Sequence, residues 1–409
     1  MLHVSILLLA ALAGPSRQAA VRQFDNTNLP ALRFNADGNF KITVFSDMHF
    51  GMYSWLPRGQ KEDKKTAKVI NDILDYERPD LVVLNGDLIN GDGTFAHNST
   101  HYIDHIVKPM VDRKLTWAST YGNHDHQLNL PAEGSFEREH TWPGARTRRM
   151  VPGLAAGVTN YFLPVYPANC DPDNVDGGGK DCAPELLLWF FDSRGGYYHS
   201  SVDKTRTPQP NWVDSSVVEW FRKTNAELKC RYRKVIPSLA FVHIPVNATD
   251  AVQKHWDPTR HPGINDEVGV AMQGQGWCPE GKHDWPRCKY GGQDVPFMQA
   301  LAQTGGMMGL FYGHDHGNTW CYKWTGDVQG LPVPGNGMNL CFGQHTGYGG
   351  YGDWIRGARE IVISQDKLKD RVFESHMRLE TGEVVGSITL NSTYNGDVYP
   401  VTPNQKTYL

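Results

Sequence analysis

Five short groups of oxygen- and nitrogen-bearing side chains recur along the chain, each just after an apolar run. They are Asp47 with His49, Asp87, Asn123 with His124 and Asp125, a single His243, and His314 with His316. Carboxylate, imidazole and amide oxygen together suit zinc, manganese or iron. No cysteine falls among them, so a thiolate-held structural zinc is not indicated. In a chain with 17 histidines any one group can be accidental. Taken alone, His243 reads as a hydrogen-bonded core histidine, Asp87 as a turn residue, and Asp47 with His49 as a strand-end pair. All five together point to one site for two metal ions, an arrangement suited to in-line displacement at phosphorus.

The elements that must carry these groups can be read from the flanking residues. Side chains two apart on a strand face the same way, so Asp47 and His49 project together where the run 41–46 ends. His314 and His316 do the same after 307–312. Runs 81–85, 115–121 and 239–242 deliver Asp87, Asn123 and His243. Five strands presenting polar groups at their carboxyl ends match the crevice of an α/β sheet. Glycines at 86, 122 and 313 let the main chain turn close to the ions. An apolar stripe of Ala67, Ile70, Ile73 and Leu74 predicts a helix near 60–77, closed by Pro79, with the charged run 61–65 as its solvated start. A helix near 100–113 completes a βαβαβ unit. Residues 126–184 and 250–292 read as long loops. Between and after them come a strand at 186–191, helices near 212–229 and 295–303, and strands at 338–342, 359–363 and 384–390. The expected fold is an α/β four-layer αββα sandwich, two mixed sheets face to face with flanking helices and the metals at their shared edge.

The ordered pattern D-x-H, GD, GNH[DE], H and GHxH from Asp47 to His316 resembles the calcineurin-like metallophosphoesterase superfamily. The Gly- and Tyr-rich stretch 339–359 is similar to one branch, the fungal calcineurin-like phosphoesterases and plant purple acid phosphatase-related proteins. The likeness runs from Phe40 to Ile363. It implies that Asp47, His49 and His316 hold one ion, that Asn123, His243 and His314 hold the other, and that Asp87 bridges them. His124 would not be a ligand; it would stabilise the transition state or protonate the leaving oxygen. The implied cofactor is a pair of divalent or mixed-valence transition-metal ions (Fe, Zn or Mn). The implied activity is a phosphomonoesterase using a metal-bridging hydroxide on a phosphoester substrate. The alternative is a phosphodiesterase acting on nucleotides, lipids or nucleic acid. True purple acid phosphatases place a tyrosine three residues after the bridging aspartate. Asn90 stands there in this chain, so a ferric-tyrosinate centre is not expected. Asp125 either tunes His124 or serves as a supporting carboxylate. Arg146, beside Arg148 and Arg149, is expected to meet the substrate phosphate, or else to belong to a solvated basic turn. His345 and Tyr348, with Tyr351 and Trp354, are expected to line the substrate pocket, or else to pack the Gly-rich loop.

Composition and termini bound the rest. The chain has 409 residues, 40% hydrophobic and 21% charged, with a formal net charge of -4. A weakly acidic balance argues against a nonspecific nucleic-acid binder. Residues 1–20 read as a signal peptide, an apolar core too short to span a bilayer followed by small residues, although its start lacks Lys and Arg. One metallophosphoesterase domain is expected over 36–395, secreted or vacuolar, with no stable membrane span and an oligomeric state that the sequence leaves open. Sequons at Asn98, Asn247 and Asn391 support the secretory pathway, with Asn247 the weakest because it lies close to His243. Seven cysteines fit an oxidising compartment. The preferred pairing is local: Cys170 with Cys182, Cys278 with Cys288, Cys321 with Cys341, and Cys230 single.

Overall fold

In the run Leu186–Phe191 every residue is buried, as a strand covered on both faces requires. Leu186, Leu188 and Phe190 pack into one apolar cluster, and Leu187, Trp189 and Phe191 into another. That split defines the layers. The computed structural model describes residues 29–127, 129–170, 172, 182–199 and 205–409; the signal-peptide reading of 1–20 lies outside them. Ala31–Leu409 forms one unit.

Its strands are β1 (Leu32–Arg33), β2 (Asn39–Phe45), β3 (Leu81–Asn85), β4 (Trp117–Thr120), β5 (Tyr161–Tyr166), β6 (Leu186–Phe191), β7 (Tyr197–His199), β8 (Arg206–Pro208), β9 (Ser238–Val242), β10 (Met307–Tyr312), β11 (Cys321–Gly326), β12 (Gly335–Phe342), β13 (Gly357–Ser364), β14 (Phe373–Leu379) and β15 (Val384–Leu390). One sheet runs β1-β5-β6-β9-β10-β12-β11, the other β15-β14-β13-β2-β3-β4, and β7 and β8 form a separate hairpin. β2, β3 and β4 pair in parallel, as do β6, β9, β10 and β12, so each set ends on one edge.

The helices are α1 (Pro57–Glu77), α2 (Tyr102–Asp112), α3 (Ala132–Glu139), α4 (Ser215–Tyr232), α5 (Asn247–Gln253) and α6 (Val295–Gln303). Ile42, Val44, Leu81 and Val83 of one sheet meet Leu188, Phe190, Phe241 and Phe311 of the other in a shared core. On the outer faces, Val82, Leu84 and Trp117 pack on Ile70 and Ile73 of α1 and Ile106 of α2. Trp189 and Val242 pack on Phe221 of α4 and Phe297 of α6. This is the expected four-layer αββα sandwich.

The differences are local. The stretch 126–184, read as irregular, contains α3 and β5. Pro164 hid β5, since proline cannot donate to a ladder. It is tolerated because β1 pairs only with Val165 and Tyr166 on that side. β14 was missed because Ser375 interrupts its inward row of Phe373, Met377 and Leu379. α5 lies at the start of the second expected loop. The cysteine pairing is the one expected, and Cys230 is free and exposed. Beyond residue 395 the chain is still fastened to this body: Ile355 N donates to Gln405 O, Thr407 N to Asp353 O, and the Lys406 ammonium lies over the Trp354 ring. Among the described residues no helix is long and apolar enough to cross a membrane.

Candidate metal centre

Asp47, His49, Asp87 and His314 all adopt left-handed backbone, with φ of 57°, 49°, 49° and 76°. Such φ values are uncommon for residues other than glycine, and bunched outliers mark functional sites. They occur because the chain leaves β2, β3 and β10 in tight turns that aim these side chains at one point. The loops after β2 and β3 stay zipped past the strand ends, with His49 N on Asp87 O at 2.9 Å and Phe50 N on Leu88 O at 3.0 Å. At Gly122 a Cβ would fall 2.3 Å from Asp87 Oδ1, so only glycine allows this approach.

Two triads result. Ligand atoms of Asp47, His49 and His316 lie within 4.8 Å of one another, and so do those of Asp87, His243 and His314. Asp87 joins the two: its Oδ2 is 3.8 Å from His49 Nε2 and 3.1 Å from His243 Nε2. Asp47 Oδ1 lies 3.5 Å from His316 Nε2 and 3.8 Å from His243 Nε2. The imidazoles are held by their other nitrogens. His243 Nδ1 donates to Asn85 O at 2.9 Å, and His316 Nδ1 to Tyr351 O at 2.8 Å, leaving each Nε2 turned to the cluster. This back-side bond is how metal-binding histidines are normally fixed. His49 Nε2 and His316 Nε2 are only 3.2 Å apart.

Electrostatics agree with a site shaped for positive charge. Burial disfavours charge on His243, yet the carboxylates of Asp87 and Asp47 outweigh it and push its pKa up to about 10. Burial opposes ionisation of Asp87 too, but His243 and His124 hold its carboxyl well below the usual range. His314, buried and beside His243, is pushed down to about 3, so it offers a neutral lone pair. Asn123 Oδ1 and His124 Nδ1 are buried without a hydrogen-bond partner among the described residues. Polar atoms left in that state need a reason, and cations would supply one at Asn123. The donor set therefore fits two transition-metal ions.

His124 shares a third such group with His49 and Asp87, its ring 4.8 Å edge-on from His49 and its backbone N–H donating to Asp87 Oδ1 at 2.8 Å. Asp125 does not reach it. That carboxylate is 1% exposed and accepts from Gly122 N (2.8 Å), Ile89 N (2.9 Å) and Leu88 N (3.2 Å), tying the Asp87 loop to the Asn123 loop. Burial and nearby Asp87 push its pKa up to about 7 against those three donors. Asn90 caps its own turn through Gly93 N, so it makes no bond to His124.

Of the three residues expected to meet substrate, Arg146 and Tyr348 lie away from the cluster and His345 lies against it. Arg146 is buried, its Nε donating to Thr116 Oγ1 just before β4, at the end of that strand opposite the cluster. Tyr348 packs beside α1, its hydroxyl on Glu380 and its ring between Lys65 and Arg356. His345 is 2% exposed, 3.8 Å ring to ring from His316 and 6.4 Å from His49; burial pushes its pKa well down, with Arg356 adding. From the same stretch Tyr351 also packs on a candidate ligand. It stacks on His316 at 4.0 Å and 10°, and its hydroxyl donates to Glu267 Oε1 at 2.6 Å. No spacing rule would have found Glu267, which comes from the long loop before α6.

Two sheets whose parallel strands end in clustered carboxylates and imidazoles give the fold and donor set of a candidate metalloprotein. The chain belongs to the calcineurin-like phosphoesterase family, whose model matches residues 40–318. It is 27% identical over 358 residues to the Arabidopsis thaliana protein named probable inactive purple acid phosphatase 29, covering 83% of this chain and 80% of that one. It is 26% identical over 320 residues to phosphatase DCR2 of Saccharomyces cerevisiae, covering 73% of this chain and 47% of that one. A dimetal phosphatase from Danio rerio superposes with a TM-score of 0.47 at 10% identity, over 86% of this chain and 98% of that one.

Proposed function

We propose that this chain is a phosphomonoesterase that works through two transition-metal ions, Fe, Zn or Mn. The observation that carries the reading is the pair of triads joined by Asp87. Asp47, His49 and His316 would hold one ion, and Asn123, His243 and His314 the other. When bound, two cations offset phosphate charge and acidify water enough to furnish a hydroxide nucleophile near neutral pH. The chain's own groups do the rest. Asp125 and the zipped loops set the ligand spacing. His124, fixed through its backbone on Asp87, delivers the proton to the leaving oxygen, a role typically worth ~10²–10⁴-fold in rate.

Three disulfides support passage through the secretory pathway. Two other functions remain in play. A phosphodiesterase would use the same centre, and faster turnover of bis(4-nitrophenyl) phosphate than of 4-nitrophenyl phosphate would establish it. A non-catalytic member is suggested by the name of the plant relatives. The test is elemental analysis followed by a phosphoester panel on metal-replete protein. Two metals per chain with monoester turnover is the expected result, and two metals with no turnover on any ester would favour the non-catalytic reading.

A further inference from the structure

Six of the nine exposed aromatic residues among the described residues stand on segments that carry or flank the candidate ligands: Tyr53, Trp55, Phe95, Tyr197, Tyr198 and Tyr351. Scattered exposed rings need no explanation, but a contiguous exposed patch marks a binding surface. Three of these rings and His97 form one row. Ring centroids step 6.4 Å from Tyr53 to Trp55, 5.9 Å to Phe95 and 5.8 Å to His97. Tyr53, Trp55 and Phe95 are 39%, 52% and 45% exposed.

The row is tied to the metal centre through the main chain. Tyr53 is four residues past His49, a reach of at most about 14 Å. The loops bearing the rings are locked together by Ser54 N on Gly93 O and Asn90 N on Phe50 O. Between the row and the centre, Met52 Sδ touches Gly350 N, and Gly350 lies against His49 and His316. Nearby charges are already engaged, Arg58 with Glu62 and Asp92 with Arg206. What is left is a set of exposed ring faces and edges held on the loops that leave the centre at His49 and Asp87.

We propose that Tyr53, Trp55 and Phe95 form a subsite that stacks a flat aromatic leaving group, the ring of an aryl phosphate or the base of a nucleotide. This rests on the phosphoester reading above. The occupant is the substrate itself because the two loops bearing the row are the ones that leave the centre at His49 and Asp87, the centre that would hold its phosphate. A ring gains about 1–3 kcal/mol by stacking on an aromatic side chain.

The test compares the full-length protein with the Trp55→Ala/Phe95→Ala variant, both metal-loaded. The expected result is a ten- to hundredfold loss of kcat/KM on 4-nitrophenyl phosphate and on a nucleoside 5′-monophosphate. Glycerol 2-phosphate should stay within about twofold. Trp55→Tyr should restore most of the loss. Calorimetric binding of phenylphosphonate and methylphosphonate gives a readout free of turnover, in which the preference for phenyl vanishes in the double variant. Protein that hydrolyses nothing, yet shows and then loses that preference, would sink the hydrolase reading and leave the ring subsite standing. An equal fall on aromatic and alkyl esters, or an unchanged phenyl preference, overturns the subsite. Loss of binding to phosphatidylserine vesicles with that preference intact would also overturn it, because the row would then face a membrane.

Discussion

Replacing Asp125 tests how the chain fixes the distance between its two triads. The carboxylate receives three backbone N–H groups from two loops, one bearing Asp87 and the other Asn123. In Asp125→Asn the remaining oxygen can keep at most two of these, because the new NH2 group cannot accept. One buried N–H is then stranded, at about 1–3 kcal/mol. The cost should fall near the lower end, since burial and Asp87 already push the native carboxyl up to about 7. In Asp125→Ala all three donors are stranded, and the loss is roughly 3–6 kcal/mol once water entry relieves part of it. That is a large share of the ~5–15 kcal/mol that holds a typical domain. Urea unfolding followed by circular dichroism reads the stability. Elemental analysis after dialysis against limiting chelator reads metal retention. Asn should lose some metal and Ala most of it. An Ala variant with unchanged unfolding midpoint and full metal content would refute the clamp.

Asp87→Asn should abolish turnover and lower metal content while circular dichroism stays native. His124→Ala should cut turnover about 10²–10⁴-fold with two metals per chain retained; metal loss there would reassign it as a ligand. Tyr351→Ala removes the ring stacked on His316 and should weaken metal holding about three- to tenfold in chelator competition, whereas Tyr351→Phe, which loses only the Glu267 bond, should fall by less. Acid stability should track Glu77: burial opposes its charge, but His376, Lys41 and Arg378 prevail and hold it down at about 2 against an ordinary 4.5. Its contribution is therefore present above pH 4.5 and lost as pH falls toward 2. With Lys41 a quarter exposed, that contribution is worth about 1–2 kcal/mol, and Glu77→Gln should remove this slope in pH-dependent unfolding. Mass spectrometry of secreted protein should find glycan at Asn98 or Asn391 and none at Asn247, which is 9% exposed at the start of α5.

The clustering of these carboxylates, imidazoles and the amide was readable because strand ends leave a local signature. An apolar run followed by Asp, His or Asn two residues apart is visible without tertiary knowledge, and β3, β6 and α6 fall where their patterns place them. The directions taken by Arg146 and Tyr348 were not readable, for the opposite reason. A basic or aromatic residue near a motif carries no record of which way the loop turns, so Arg146 ended at the far end of β4 and Tyr348 beside α1. Asp125 could be seen but not interpreted, since two of its three partners are backbone groups 36 and 37 residues away. The Tyr351–Glu267 contact joins residues 84 positions apart, a distance at which no periodicity helps.

The last few residues deserve practical notice at the bench. Lys406 reaches Asp266 and Asp353 at 3.0 and 3.1 Å, and Thr407 meets Tyr348, so this segment laces the Tyr351 loop to the Glu267 loop. Both loops back His316. Removing residues 401–409 would therefore loosen the support behind His316. An expression design that leaves this lacing free is the safer starting point for any metal titration.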